Sequence, residues 1–171
     1  MQPRGPGAAW RACPPGHYRT GALLVKSGVT LDLDAGATLL GSADWADYPA
    51  LTYGGEEAHR HLMVVNNAQR VILCGHGTID GGGEAFCELQ PDPHCWIRAK
   101  PRRLGAMLAV VNSQDVTIRD VRLTNPPAWA SDIYGSDRVT VQGLSMANDP
   151  RTPNNDGIDI SGSHDVIISD S

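Results

Sequence analysis

Val116-Thr117-Ile118-Arg119-Asp120-Val121-Arg122-Leu123-Thr124-Asn125 is matched 23 residues later by Val139-Thr140-Val141-Gln142-Gly143-Leu144-Ser145-Met146-Ala147-Asn148. A third copy opens at Val166-Ile167-Ile168-Ser169-Asp170, 27 residues further on, with the extra residues falling in the loop before Asn154. Looser copies start at Val29-Thr30-Leu31 and Val71-Ile72-Leu73, 42 and 45 residues ahead of their successors; those intervals fit two turns, or one turn with a long loop. Repetition at this period, carried by β-branched residues, predicts a parallel β-helix with one copy per coil. Within a copy, Val116 and Ile118 keep period two, and Val121 and Leu123 resume it after a shift of one. The shift puts a bend at Arg119-Asp120, where the chain leaves one sheet for the next.

The same register extends upstream. Val65, Val110, Ile133 and Ile160 each stand six residues before a copy and should stack as one inward column. Their predecessors Ala109, Asp132 and Asp159 should then point outward, in coils about 4.8 Å apart. Asp132 and Asp159 become stacked carboxylates on an exposed face, and Trp129 and Asp156, three residues earlier, share another column. Two carboxylates this close disfavour double ionisation, so one should have a raised pKa unless a cation or hydrogen-bond donors intervene. The pair is a site candidate on that ground; a solvated pair screened by water or a nearby Arg is the alternative.

Composition agrees with an all-β chain. Aromatics make up 5% of the 171 residues, Gly numbers 19 and Pro 12, and short β-branched runs alternate with turn residues rather than forming helical stripes. A net charge of −5 argues against nucleic acid as a partner and gives no global attraction for an acidic polysaccharide. Such a substrate needs local cations. The densest group is Arg98, Lys100, Arg102 and Arg103, of which Arg102 is assigned to substrate; a solvated loop with scattered charge is the alternative. No segment reaches membrane-spanning length, and Met1 to Pro6 holds no apolar signal core, so compartment is not readable from this run.

Cys13, Cys74, Cys87 and Cys95 show no paired metal-ligand spacing, and no metal or cofactor is expected. Cys87 and Cys95 could close a short loop in an exported chain, whereas Cys74, inside Val71-Ile72-Leu73-Cys74, reads as a buried thiol. Trp10, Trp45 and Trp96 read as core or loop packing. Trp129 is a candidate sugar platform or packs on Pro126-Pro127.

Pro14 to Gly21, Leu31 to Ser42 with Asp47-Tyr48-Pro49, Gly75-His76-Gly77-Thr78-Ile79-Asp80-Gly81, Asn125-Pro126-Pro127-Ala128-Trp129, and Asn154-Asn155-Asp156-Gly157-Ile158-Asp159 follow one another along the chain. Together these segments resemble the bacterial branch of the polygalacturonase family, glycoside hydrolase family 28. The last resembles the family's Asn-Thr-Asp-Gly-x-Asp signature. The resemblance implies a right-handed single-stranded parallel β-helix, of which residues 1–171 are the N-terminal portion, with coils from about residue 22 and truncation at the C-terminal end. It also implies a protein that is secreted or periplasmic and monomeric at full length, acting on galacturonan.

As the resemblance implies it, the chemistry is inverting hydrolysis of the α-1,4-galacturonosidic bond, one carboxylic acid protonating the leaving oxygen while others activate water. Asp156 falls on the position of the water-activating base, and Asn154 matches the signature Asn that orients it or touches sugar. Asn155 replaces the usual Thr, and Asp132 stands where relatives often carry His after the Trp. The family's Asp-Asp pair, catalytic Gly-His-Gly and Arg-x-Lys pair have no counterpart here. Gly75-His76-Gly77 precedes the signature and by order is a turn, with His76 exposed. A base without an acid does not complete the reaction, so these residues alone are expected to be inactive. Two other readings stand beside this one. One is a non-catalytic polysaccharide-binding β-solenoid; the other is a calcium-dependent pectate lyase, for which Asp32-Leu33-Asp34 is the nearest approach to a metal site.

Overall fold

A computed structural model of the protein describes residues 9–55, 58–88, 90, 92 and 94–171; the run from Met1 to Pro6 lies outside them. The chain winds through three parallel sheets. The first, six-stranded, stacks Ala9–Cys13, Val29–Leu33, Gln69–Gly75, Gln114–Arg119, Asp137–Gln142 and His164–Ser169. The second, five-stranded, stacks Gly16–Thr20, Ala37–Gly41, Thr78–Asp80, Arg122–Thr124 and Ser145–Ala147. The third, also five-stranded, stacks Leu23–Leu24, Met63–Asn66, Leu108–Val111, Ser131–Tyr134 and Ile158–Ser161. Each coil visits the three in turn, which is a parallel β-helix. The long intervals are single turns with loops: Thr30 pairs with Ile72, and Val71 with Val116. Among the described residues stacking is present from Ala9, paired with Val29, ahead of the start expected near residue 22.

The core is a set of columns. Val65, Val110 and Ile133 are in register and buried, with Ile160 next in line. Val71, Val116 and Val139 form a second column and Ile79 and Leu123 a third, all fully buried. Burying one such side chain stabilises the fold by about 1.5–3 kcal/mol, so repetition along the axis accumulates stability without aromatic mass.

The predicted bend is present. Asp120, Gly143 and Asp170 take φ of 64°, 63° and 55° at the corner between the first two sheets. Gly and Asp are residue types that tolerate this left-handed conformation. At Gly143 a Cβ would also come 2.9 Å from Asp120 Oδ1. A second left-handed column runs Arg70, Asp115, Arg138 and Asp165, alternating in charge from coil to coil. Arg138 Nε donates to Asp115 Oδ1 at 2.7 Å, and Asp115 also feels Arg70. A slip by one coil would set like charges together, so the column works against misregister. Ser113, Ser136 and Ser163 form a hydroxyl ladder, each accepting from a backbone N–H of the preceding coil (Ala68, Ser113 and Ser136).

Cys74 is buried as expected. The Cys87 thiol is buried and that of Cys95 is exposed; both are free, so the loop closure considered from sequence is not made. Trp10 and Trp96 are exposed rather than packed in the core, and His76 lies exposed at a bend. No helix among the described residues is long and apolar enough to cross a membrane.

Candidate active site

Two long loops leave the solenoid before strands of the third sheet and fold over its outer face. The first, residues 42–62, is anchored by Tyr48, fully buried, whose hydroxyl donates to Ser42 O at 2.7 Å and whose ring meets Phe86 edge-on at 6.2 Å. Arg60 donates to Tyr48 O and lies 3.5 Å from the centre of the Trp45 ring. Leu51 and His59 exchange backbone hydrogen bonds of 2.7 and 2.9 Å, closing a hairpin whose tip carries Tyr53. The second loop, residues 81–107, joins the first where Gly105 N–H donates to Arg60 O.

Under this cover lies the outward column Val64, Ala109, Asp132 and Asp159. The register is as expected, but the face is not open to water at Asp132, which is 7% exposed. Loop 42–62, whose course has no period in the sequence, brings Tyr53 onto it, the phenol donating to Asp132 Oδ2 at 2.7 Å. His61 is buried behind Tyr53, with Nδ1 2.7 Å from Ala106 O. A carbonyl only accepts, so Nδ1 carries the ring proton. Burial is the main reason the His61 pKa falls to about 4. Asp159 is half-buried; burial first, then the charges of Asp156 and Asp132, push its carboxyl up, and its buried Oδ2 accepts no hydrogen bond from the described residues.

Tyr53, Gly54, His59, Trp129, Asp132, Tyr134, Asp159 and Ser161 line a cavity of about 230 Å³. Gly54 has φ +68°, and a Cβ there would come 3.0 Å from the Tyr134 ring, so the tip of the hairpin needs glycine to seat against it.

Trp129 and His59 also border a second cavity, of about 370 Å³, lined by Lys100, Arg103, Leu104 and Asn154 among others. Its cations come from loop 81–107. Arg103 donates from Nη1 to Pro153 O at 3.0 Å and from Nη2 to Asn154 Oδ1 at 2.8 Å. Arg102, assigned to substrate from sequence, points elsewhere: its guanidinium lies 5.4 Å from the Trp45 ring centre, beside Arg60. Adjacent residues of an irregular loop face different ways, and spacing alone does not separate them.

Asp156 is exposed, and its charge acts on Asp159. Its carbonyl accepts from Ala130 N–H at 2.9 Å, just as Trp129 O accepts from Met107 N–H, so Trp129 and Asp156 occupy successive rungs as the register predicted. The loop that delivers Asp156 is internally braced. Arg151 grips Asp149 through Nε and Nη2 at 3.0 and 2.7 Å, holding that carboxyl down at about 2. Asn155 Nδ2 donates to Asp149 O at 2.8 Å, a role that a Thr hydroxyl, shorter by an atom, would have to fill differently. Ile97 N–H donates to Arg151 O, tying the loop to residues 81–107. The structure thus gathers Trp129, Asp132, Asp159, Asn154 and Asp156 into one region and leaves Arg102 apart. Sequence reasoning missed Tyr53, His59, His61 and Tyr134, none of which falls in an outward column next to the signature except Tyr134, two residues after Asp132.

Asp32 and Asp34 lie in a separate groove with Cys74, His76, Arg119 and Asp120. Among the described residues no cluster of three or more His, Cys, Asp or Glu side chains is arranged to hold a metal ion.

The sequence is 29% identical over 178 aligned residues to a probable polygalacturonase of Vitis vinifera, covering 96% of this chain and 34% of that one. With the exo-poly-alpha-D-galacturonosidase of Dickeya chrysanthemi it shares 38% over 82 residues, 41% of this chain and 14% of that one. The fold is similar to that of the Yersinia enterocolitica family 28 exopolygalacturonase, with TM-score 0.79 and 21% identity over 93% of this chain and 36% of the other. The chain thus spans about a third of the length of the Vitis relative. The sequence model of glycosyl hydrolases family 28 matches residues 17–171, and the chain belongs to that family.

Proposed function

We propose that, in a protein of the relatives' length, this chain supplies one wall of the active site of a galacturonan hydrolase, with Asp156 as the base that activates water. The observation that carries the reading is the placement of Asp156: exposed, one rung from Trp129, and two residues from Asn154 at the edge of a cavity lined by Lys100 and Arg103. A uronate needs cations for its carboxylate and an apolar plate for its ring, and both are here beside a solvent-exposed carboxylate. Trp129, Asn154, Asp132 and Asp159 then contact sugar, and Arg103 takes the carboxylate-binding role first assigned to Arg102.

The reaction needs a carboxylic acid besides the base, and the Asp-Asp pair that the resemblance implies for that role has no counterpart among these residues. In this reading the acid comes from the rest of a protein of the relatives' length, and the isolated chain binds without turning over. The single carboxylate at a catalytic position is also what a non-catalytic polysaccharide-binding solenoid would show. Release of reducing ends from polygalacturonate by a protein extended to the relatives' length, compared with its Asp156→Asn variant, decides between them. The hydrolase reading expects a loss of about 10²–10⁴ in rate; an extended protein that binds polygalacturonate without cleaving it leaves the binding module.

A further inference from the structure

The two cavities that meet at Trp129 differ in charge. Among the described residues, Lys100 and Arg103 line one and no carboxylate does. The other is lined by Asp132 and Asp159, with the rings of Tyr53, Trp129 and Tyr134 around them and, among the described residues, no Lys or Arg. His59 borders both. We propose that the basic side takes a uronate and that the cavity of Tyr53, Trp129, Asp132, Tyr134 and Asp159 takes an uncharged sugar unit, so that the preferred ligand is a galacturonan in which a neutral residue adjoins a galacturonate. The inference rests on the galacturonan reading and sharpens its substrate class.

Two features besides the charge favour a sugar in the acidic cavity. Tyr53 and Tyr134, with ring centres 5.3 Å apart and planes tilted by 54°, make an angled apolar wall, a shape suited to the C–H faces of a pyranose. Asp132 and Asp159 both line this cavity, and sugar hydroxyls donate hydrogen bonds to carboxylates. A uronate carboxylate in the same place brings only acceptors to an acceptor. It also adds a further negative charge where Asp156 and Asp132 already act on Asp159. The discrimination is built by repulsion as much as by attraction.

Three disaccharides test this on the chain itself by titration calorimetry: α-1,4-digalacturonate, and the two forms in which one ring or the other has its carboxylate reduced to a hydroxymethyl group. One of the two mixed disaccharides should bind at least about tenfold more tightly than digalacturonate. Asp132→Asn, and independently Asp159→Asn, should bring digalacturonate to within about threefold of it by removing the repulsion. Digalacturonate binding as tightly as both mixed forms overturns the two-sided inference while leaving the galacturonan reading intact. Failure of all three to bind removes that reading, and this inference with it.

Discussion

Tyr53 and Asp132 stand 79 residues apart in the sequence and meet through a 2.7 Å hydrogen bond from the phenol to Oδ2. The bond ties a loop tip to the third sheet and makes the acidic column an enclosed surface rather than an open one. A hydrogen bond to a charged group contributes about 1.5–3 kcal/mol, and an orphaned buried acceptor adds to the loss. Tyr53→Phe should therefore lower the unfolding free energy by about 1–3 kcal/mol in urea titration while keeping the ring contact with Tyr134. An unchanged midpoint would show that the loop is held in place without this bond.

His61 gives the fold an acid-sensitive element. Its folded pKa, about 4, lies below the ordinary 6.5 because the buried ring resists charge. Between these values the unfolded chain binds the proton and the folded one does not, so stability falls as pH drops from about 6.5 towards 4. The full loss amounts to about 3 kcal/mol. His61→Gln, which keeps a donor towards Ala106 O, should flatten that part of the stability curve. Equal slopes for the two proteins would mean that His61 is protonated in the fold.

Asp159 acts in the opposite sense. Burial and its carboxylate neighbours raise its folded pKa above 3.8, so between the two values the folded state holds the proton more tightly. Stability from this group is gained as pH falls through the raised pKa and lost as pH rises through it. Asp159→Asn should raise the melting temperature at pH 7 and leave it nearly unchanged at pH 3. A variant that is less stable at pH 7 would show that the ionised carboxylate is held by attraction that outweighs its burial.

The register was legible because a parallel ladder repeats sequence spacing as spatial neighbours. Val110, Ile133 and Ile160 share one offset, and their pairing follows from it. Asp132 beside Asp159 and Trp129 beside Asp156 were legible for the same reason. The first strand, Ala-Trp-Arg-Ala-Cys at Ala9–Cys13, carries none of the β-branched signature and was not visible. What the sequence hid at the site was the cover over it. Loops 42–62 and 81–107 have no period, and Tyr53, His61 and Arg103 reach the column through hairpin geometry and Arg–Trp stacking. Arg102 and Arg103 are neighbours with equal composition value, and only the fold separates the one over Trp45 from the one on Asn154.

Ile160 and Ile168 are 45% and 43% exposed, although Ile133 and Val141, their partners one coil back, are buried. Among the described residues, Ile158–Ser161 and His164–Ser169 each pair on one side only. Such edges and apolar ends template further strand addition. Sedimentation velocity on residues 1–171 should show concentration-dependent association, reduced by lysine at both positions (Ile160→Lys with Ile168→Lys). A single monomeric boundary at all concentrations would contradict this.

Arg103 is the link between the cation-bearing loop and the turn that presents Asp156. Its two terminal nitrogens reach separate acceptors, Pro153 O and Asn154 Oδ1, a fork that a single ammonium does not reproduce. Asn154 itself has φ 54°, a left-handed conformation that favours its escape once the side chain is released. Arg103→Lys keeps the charge of the basic cavity and removes the bridge. Global stability should change by no more than about 0.5 kcal/mol, as is usual at partly exposed positions. Amide exchange across residues 152–157 should nonetheless speed up about tenfold, and digalacturonate affinity should fall while its salt dependence persists, because the cation remains. Unchanged exchange in that segment would place the bracing of the turn in Arg151–Asp149 and Asn155 instead.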